Sequence, residues 1–219
     1  DPYTLNLHSY TQIRTDRPQQ TPNRQGGLVT FVSNQLPHKQ ITFQSQLEVQ
    51  AIEIHTHTTH FTLINLYMPL TTPNTALEEL GQFIEALDTP VLICGDFNAH
   101  HRVWDNKTDS RGNTLHNIID ELQLTCLNTG EHTFLARHHM HPDTTPDVTI
   151  ASPTLATQAQ WSVLPDQYFS DHKPIHITLN SSFTQHYTQI RWDLTRADWD
   201  AYTTDMEHNT QDTDIETFS

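Results

Sequence analysis

The sequence lacks several features that would place it in a broad class of protein. It has no run of about 18 consecutive apolar residues, so no membrane-spanning helix is expected. It has no initiator Met and no basic n-region, so no signal peptide is expected, and we expect it to begin inside a longer product. Its only two cysteines, Cys94 and Cys126, each end an apolar run, which favours buried free thiols in a reducing compartment over a disulfide.

Positive charge is also scarce in this chain. Its 219 residues include 11 Lys and Arg against 26 Asp and Glu, for a formal net charge of -15. That balance argues against a simple basic nucleic-acid-binding module. Some of the acids could be metal ligands, and a bound cation would invert the local field around them. The hydrophobic content of 35% suits one sizeable domain and leaves room for a short appendage.

Apolar periodicity predicts a mixture of strands and helices. The predicted strands cover residues 28–34, 41–45, 47–56, 60–68, 91–94, 124–127, 147–151, 161–164 and 175–179. Helical spacing predicts one helix before Asp88 and a second over residues 115–122. Residues 1–25 are predicted to be an irregular lead-in. The mixture favours a layered α/β sandwich.

Residues 91–98 are the most informative stretch. Four apolar residues predict a short buried strand, and Gly95 is interpreted as the turn that ends it. Asp96 and Asn98 follow two residues apart, so we expect their side chains to point the same way. An acid and an amide at the edge of an α/β sheet suit a site that orients water and a phosphate oxygen. The alternative is a strand followed by an ordinary Asp/Asn turn.

Three more patterns place reactive side chains at predicted strand ends. Tyr67 ends a strand just before Pro69, Asp147 leads into a strand, and Asp171 and His172 precede another. Each has an ordinary explanation when taken alone, as a strand aromatic, a turn cap or a polar loop. All of the patterns together favour a shared site.

These motifs resemble the endonuclease/exonuclease/phosphatase superfamily, and more narrowly the apurinic-endonuclease-like domain of non-LTR retrotransposons. The strongest matches are Gly95-Asp96-Phe97-Asn98, Pro146-Asp147-Val148-Thr149-Ile150 and Ser170-Asp171-His172-Lys173-Pro174-Ile175. Weaker matches are Gly26-Gly27-Leu28, Tyr67-Met68-Pro69, Thr133-Phe134, His100-His101-Arg102-Val103-Trp104 and Arg111-Gly112-Asn113. The resemblance implies a four-layer α/β sandwich with two mixed, mostly antiparallel sheets over residues 1–182. Residues 183–219 are expected to be an acidic connector, partly helical or disordered.

The resemblance also implies a phosphodiester hydrolase and gives roles to its residues. Asp96 would orient or deprotonate the attacking water. Asn98 would donate a hydrogen bond to the phosphoryl oxygen on which charge builds up. His172 would stabilise that oxygen from the other side, and Asp147 would hold its imidazole in orientation.

A divalent metal ion, Mg²⁺ or Mn²⁺, belongs to the same expectation. Asp96 and Asp171 would lie near it, and hard oxygen ligands favour Mg²⁺ over Zn²⁺. Tyr67 would contact the phosphate or assist the leaving group. Family members begin with a strand that carries an Asn and a second that carries a metal-binding Glu, whereas nothing before Gly26 matches and the first Glu is Glu48. We therefore expect the first strands to be missing and the 219-residue chain alone to have little nuclease activity.

The polar loop before the second helix is a candidate DNA-binding element. It contains Arg102, Trp104 and Arg111, and bases with an aromatic can track phosphates and stack on nucleobases. The alternative is a solvated loop with Trp104 packed inward. Thr133 is a further candidate for contact with DNA, by resemblance.

The leading hypothesis is the endonuclease domain of a retrotransposon polyprotein. In that family the enzyme nicks double-stranded DNA and leaves a 3′-hydroxyl, which a downstream reverse transcriptase uses as a primer. By resemblance alone the protein would act in the nucleus. The alternatives are a small-molecule phosphoesterase of the same fold and a catalytically inactive, truncated relic.

Overall fold

The structure is a computed structural model that describes residues 5, 7–17, 27–43, 45–136 and 142–180. Its strands are β1 (Tyr10–Thr15), β2 (Leu28–Ser33), β3 (His38–Ile41), β4 (Glu48–His55), β5 (His60–Tyr67), β6 (Val91–Asp96), β7 (Thr125–Cys126), β8 (Asp147–Ala151), β9 (Ala159–Val163) and β10 (Ile175–Leu179). Its helices are α1 (Thr75–Glu85), α2 (Ser110–Glu121) and α3 (Pro153–Ala156). The predicted connector 183–219 lies outside the described residues, so the division into domains stays a prediction.

A mixed six-stranded sheet forms the centre of the fold. Its strand order is β3-β4-β5-β6-β8-β7. All neighbours are antiparallel except β5 and β6, which are parallel. A parallel pair requires a crossover connection, and α1 lies in the segment that joins these two strands. Because the two strands are parallel, their last residues, Tyr67 and Asp96, lie side by side at the same end of the sheet.

The two faces of this sheet bury separate hydrophobic clusters. Leu77 of α1 and Leu115 of α2 pack with Ile93 of β6 on one face. On the other face, Leu92 of the same strand packs with Ile13 of β1 and with residues of β2 and α3. Successive strand residues point to opposite faces, so one short strand supplies both cores.

The second β layer consists of two antiparallel ribbons, β1–β2 and β9–β10, in the part of the chain that the structure describes. The buried side chain of Gln50 links the first ribbon to the central sheet. Its amide nitrogen donates to the carbonyl oxygens of Ile13 and Leu28, and its oxygen accepts from the hydroxyl of Thr30. Helices, central sheet and second β layer confirm the predicted α/β sandwich.

Several predicted elements differ from the structure. Residues 1–25 were expected to be irregular, but they contain β1, whose single buried residue, Ile13, gives too weak an alternation to detect. The strand predicted at 41–45 was misplaced, because β3 runs over His38–Ile41. Helix α3 was not predicted. The strands predicted at 147–151 and 175–179 are confirmed.

Gly95 does not form a turn, contrary to the interpretation from sequence. It lies inside β6, where a Cβ atom would clash with the carbonyl oxygen of Leu66 on β5. The chain turns at Asn98 instead, whose φ of 47° is in the left-handed region that asparagine tolerates. Gly95 is therefore required by the close approach of two parallel strands.

Cys94 and Cys126 are both free, as expected, and the reducing compartment stays a prediction. Burial raises the pKa of the Cys94 thiol to about 12 and that of Cys126 to about 11. Both thiols are therefore protonated and poorly nucleophilic near neutral pH. Within the described residues, none of the helices has the length and apolarity that crossing a bilayer would demand.

Replacing Gly95 by alanine tests the packing of β5 against β6. We expect Gly95→Ala to lower the free energy of unfolding by about 3 kcal/mol or more, since backbone has to move to admit the methyl group. Gly81→Ala is the matched control, because its Cβ would meet only the Ile118 side chain at 3.4 Å, inside a helix that favours alanine. Urea unfolding of both variants measures the difference. Equal stability of the two variants would contradict this account of Gly95.

Candidate active site

Four side chains form a row across neighbouring strands of the central sheet. Glu48 of β4 is paired with Tyr67 of β5, Tyr67 with Asp96 of β6, and Asp96 with Asp147 of β8. Paired residues project from the same face of a sheet. These four side chains therefore lie on one face, at the end of the sheet where β5 and β6 finish. The topology thus brings together three residues predicted from sequence and adds Glu48.

His172 joins this row from the second β layer. It precedes β10, and its Nδ1 lies 2.8 Å from a carboxylate oxygen of Asp147. A β-bridge to Phe134 and an edge-on contact between the two rings, with centroids 5.2 Å apart, hold the imidazole in place. The hydrogen bond that the imidazole donates to Asp147 raises the pKa of His172 against the opposing effect of burial, and the charges of Asp147, Asp96 and Asp171 add to the rise.

Asp96 and Asn98 are tied to each other by the turn that follows β6. A carboxylate oxygen of Asp96 accepts the backbone N–H of Asn98 at 2.9 Å. The Asn98 amide nitrogen donates to the carbonyl oxygen of Met68 at 3.1 Å and lies 3.4 Å from the second Asp96 oxygen. Burial and the charge of Asp147 raise the pKa of Asp96, although the Asn98 N–H opposes the rise. Asp96 is therefore more basic than an ordinary carboxylate.

Asp96, Asp147 and His172 can together hold a metal ion. One ligand atom from each lies within 4.8 Å of the others. Two carboxylates at this separation repel each other, and a divalent cation with a preference for oxygen ligands would relieve that repulsion. The two carboxylates therefore fit a hard divalent ion, while Nδ1 of His172 is engaged by Asp147.

Asp171, the other predicted metal ligand, is not one of these three residues. Its carbonyl oxygen accepts the N–H of Leu135, and its charge acts on the adjacent imidazole of His172. Its role at a metal ion stays a prediction.

Arg111 is buried, which argues against the direct DNA contact that the sequence suggested. Its side chain is 8% exposed and donates to backbone carbonyl oxygens in the turns after β5 and β6. The acceptors are Met68 at 3.4 Å, Phe97 at 3.2 Å, Pro69 at 3.2 Å, Leu70 at 3.1 Å and Thr72 at 2.8 Å. The Met68 oxygen is the one that also accepts from Asn98. Arg111 therefore supports the active-site turn from behind.

Trp104 and Thr133 are also buried, so neither side chain is placed to contact DNA. Trp104 is 1% exposed and donates its indole N–H to the carbonyl oxygen of Ala99, which matches the alternative of an inward-packed tryptophan. The Thr133 hydroxyl is fully buried and has no hydrogen-bond partner among the described residues. Arg102 is exposed, and it keeps its place as a candidate contact.

The start of α2 explains why glycine follows Arg111. Asp109 caps the helix by accepting the N–H of Gly112 at 2.6 Å. A Cβ at Gly112 would clash with the carbonyl oxygen of His100. The tight junction fixes the loop of residues 100–109 against the helix and sets Arg111 beneath the turn.

Sequence reasoning missed the pairing of Glu48 with Arg17. Glu48 accepts from Arg17 Nε at 2.7 Å and from the backbone N–H of Gly27 at 2.7 Å. The Arg17 guanidinium lies 5.8 Å from the centroid of the Tyr67 ring. The register of β4 against β5 places Glu48 opposite Tyr67, and that register depends on the exact position of the hairpin turn at residues 56–59, which the sequence pattern did not fix.

Replacing the partner of His172 tests the origin of its raised pKa. In Asp147→Asn we expect the pKa of His172 to fall, because the amide keeps the shape but loses the charge. Titration of the imidazole by NMR, in EDTA to exclude metal, measures the change. In the parent protein the raised pKa of His172 stabilises the fold at pH values below the ordinary pKa of 6.5. This contribution is lost as the pH increases through the raised pKa. An unchanged pKa in Asp147→Asn would refute the assignment.

Comparisons with known proteins agree with this geometry. The sequence profile of the family described as endonuclease-reverse transcriptase matches residues 61–176. The probable RNA-directed DNA polymerase from transposon BS of Drosophila melanogaster is 24% identical over 195 residues, covering 83% of this chain and 20% of that protein. The chain thus spans about a fifth of the length of this curated relative.

Two solved structures share the fold. The endonuclease domain of TRAS1, a telomere-specific non-LTR retrotransposon, superposes with a TM-score of 0.67 at 20% identity, covering 81% of this chain and 83% of that one. The AP endonuclease LMAP from Leishmania major gives 0.60 at 12% identity, covering 78% and 70%. The fold expected from the resemblance is thereby confirmed. Because the family profile matches more than half of the sequence, the chain belongs to the endonuclease-reverse transcriptase family.

Proposed function

We propose that this chain is the metal-dependent DNA endonuclease domain of a retrotransposon polyprotein. The observation that carries the proposal is the position of Asp96 beside the Asp147–His172 pair, with one ligand atom of each residue within 4.8 Å of the others. A basic carboxylate and a protonated imidazole at this spacing can act on opposite sides of one phosphodiester. Membership of the endonuclease-reverse transcriptase family supports DNA over a small phosphoester as the substrate.

Asp96 acts as the general base in this mechanism. Its raised pKa makes it a better proton acceptor, and the Asn98 N–H on one oxygen fixes the direction of the carboxylate. The attacking water would be bound at the other oxygen. Binding water there would replace only one long contact, the 3.4 Å distance between that oxygen and the Asn98 amide nitrogen.

His172 and Asn98 stabilise the charge that develops on the phosphoryl group. The raised pKa of His172 favours the protonated imidazole, which can donate a proton from Nε2 while Asp147 holds Nδ1. Asn98 keeps one amide hydrogen on Met68 and can turn the other to the phosphoryl oxygen. Tyr67, next to Asp96 in the strand row, would contact the same phosphate.

A divalent ion, Mg²⁺ or Mn²⁺, would be held by the carboxylates of Asp96 and Asp147, and Asp171, the residue before His172, is a further candidate ligand. When bound, it supplies Lewis-acid stabilisation of the phosphate charge. The chain's own residues then have to orient the water, exclude competing solvent and move the protons.

The wider biological role is part of the same proposal. The product would carry a 3′-hydroxyl on nicked double-stranded DNA, and a reverse transcriptase domain downstream in the polyprotein would extend it. The name of the Drosophila relative, an RNA-directed DNA polymerase, supports such a partner. Action on chromosomal DNA would place the protein in the nucleus.

Nicking of supercoiled plasmid tests the proposed reaction. With Mg²⁺ we expect conversion to open circles, and we expect Asp96→Ala and His172→Ala each to slow it by at least about 100-fold, since general acid–base groups commonly contribute about 10² to 10⁴. The assay is run at high protein concentration and over long times, because the rate of this chain is expected to be low.

Thermal unfolding of each variant is the control, because the assay requires folded protein. Extension of the nicked product by a polymerase reports whether a 3′-hydroxyl is present. No nicking by the folded parent protein under these conditions, or full activity of Asp96→Ala, would rule out this function.

Arg102 tests the electrostatic part of DNA binding. Its side chain is exposed in the loop beside the site, so we expect Arg102→Ala to weaken binding and to reduce the slope of log K against log salt by about 1. Fluorescence anisotropy with a labelled duplex at several salt concentrations measures the slope. Lys39→Ala, on β3 at the far edge of the central sheet, is the matched control. Equal slopes for Arg102→Ala and the parent protein would exclude this contact.

A further inference from the structure

Two aromatic side chains stand free in solvent immediately before His172. Phe169 is 110% exposed relative to an extended reference, and Tyr168 is 70% exposed. Most other aromatic rings of the described chain are at least half-buried, including Trp104, to which the sequence had suggested a role against bases. Exposed rings of this size are costly to leave in water, and they often mark contact sites.

The segment that carries these rings is anchored to the active site. The N–H of Ser170 donates to the carbonyl oxygen of Gln167 at 2.9 Å, which closes a turn around Tyr168 and Phe169. The Ser170 hydroxyl then accepts the N–H of His172 at 3.1 Å. The aromatic tip is therefore fixed to the backbone of the residue whose imidazole binds Asp147.

The length of this connection limits where the tip can reach. Phe169 is three positions before His172 in the sequence, so their Cα atoms lie no more than about 11 Å apart. Successive bases of a DNA strand are about 3.4 Å apart. A phosphate bound at His172 therefore has bases within about three steps of the Phe169 ring.

The backbone at the tip adopts an uncommon conformation. Tyr168 and Phe169 have φ values of 49° and 67°, both in the left-handed region that bulky residues avoid. Both side chains are nevertheless mostly exposed, so packing against the protein does not offset this strain. Strained backbone that gains no intramolecular contact is characteristic of segments whose geometry serves binding.

The charges around the tip indicate what kind of contact it makes. Asp166 and Asp171 flank the aromatic pair, and the nearest Lys or Arg in the sequence is Lys173. Two carboxylates repel phosphates, so the tip does not gain affinity from the DNA backbone. Stacking of a ring on a base, or insertion of an apolar wedge between bases, needs no positive charge.

We propose that Tyr168 and Phe169 form a base-contacting wedge, with Phe169 inserted against the DNA bases next to the cleaved phosphate. This inference rests on the proposed function, because it names the part of the DNA that the site recognises. It also assigns to the segment before His172 the base-stacking role that the sequence had suggested for Trp104, which is buried. The wedge positions the substrate by its bases, while Arg102 tracks its phosphates.

The test is the affinity of variants for a duplex that carries 2-aminopurine near its centre, without added Mg²⁺ so that no cleavage occurs. We expect Phe169→Ala to raise Kd by about 5- to 100-fold, the range seen when a base-stacking aromatic is removed. The slope of log K against log salt is expected to stay the same, in contrast to Arg102→Ala. Phe169→Trp is expected to retain affinity and the fluorescence change of the stacked base.

Tyr10→Ala is the matched control, because Tyr10 is 48% exposed on β1 at the end that pairs with Ser33, away from Arg17 and Glu48. It is expected to bind like the parent protein. Since the Phe169 ring makes no contact within the fold, thermal unfolding of Phe169→Ala should match the parent and exclude misfolding.

The outcomes separate this inference from the proposed function. If the parent protein binds DNA and Phe169→Ala binds equally well, the wedge is refuted while the endonuclease role stands. A change in self-association by Phe169→Ala, seen by analytical ultracentrifugation without a change in Kd, would likewise overturn it in favour of a protein contact. If the parent protein binds no DNA at all, both proposals fail together.

Discussion

The guanidinium of Arg111 lies beneath the turns that end β5 and β6, and its donors go to five backbone carbonyl oxygens. Buried carbonyl groups without partners cost about 1–3 kcal/mol each, so the two turns depend on this one side chain. A lysine could not replace it, because an ammonium presents three donors from a single point, whereas the guanidinium presents five in a plane. Through the Met68 oxygen, the same network reaches the amide of Asn98. The orientation of Asp96 and of the neighbouring Asn98 amide thus depends on a buried side chain outside the row of strand-end residues.

A second constraint is the register of the central sheet. The pairing of β4, β5, β6 and β8 aligns Glu48, Tyr67, Asp96 and Asp147 in one row. Gly95 allows β5 and β6 to approach closely enough for that register, and a slip by one residue would send every side chain of the row to the opposite face. The second β layer adds His172 to Asp147, and the Arg17–Glu48 pair ties the end of the row to the first ribbon.

The residues that sequence reasoning placed correctly in one site share a property. Asp96, Asp147 and His172 each adjoin a short apolar strand, so local pattern located them and the resemblance supplied the fold that joins the strands. Arg111 and Trp104 were given a DNA-binding role on residue type, which is the same for a buried and an exposed side chain. Arg111 can be recognised as buried only from its hydrogen bonds to the carbonyl oxygens of Met68 and Thr72. Those residues lie about 40 positions upstream, beyond the reach of a local pattern. β1 escaped detection for a similar reason, since it depends on pairing with β2 rather than on its own pattern.

The Asp147–His172 hydrogen bond joins two layers of the sandwich, because Asp147 belongs to the central sheet and His172 to the segment before β10. β10 is also the last strand of the described chain to leave the ribosome. A nascent or partly opened domain therefore holds Asp96 and Asp147 without the imidazole that completes the site. The complete group of Asp96, Asp147 and His172 therefore exists only once the two layers have packed together.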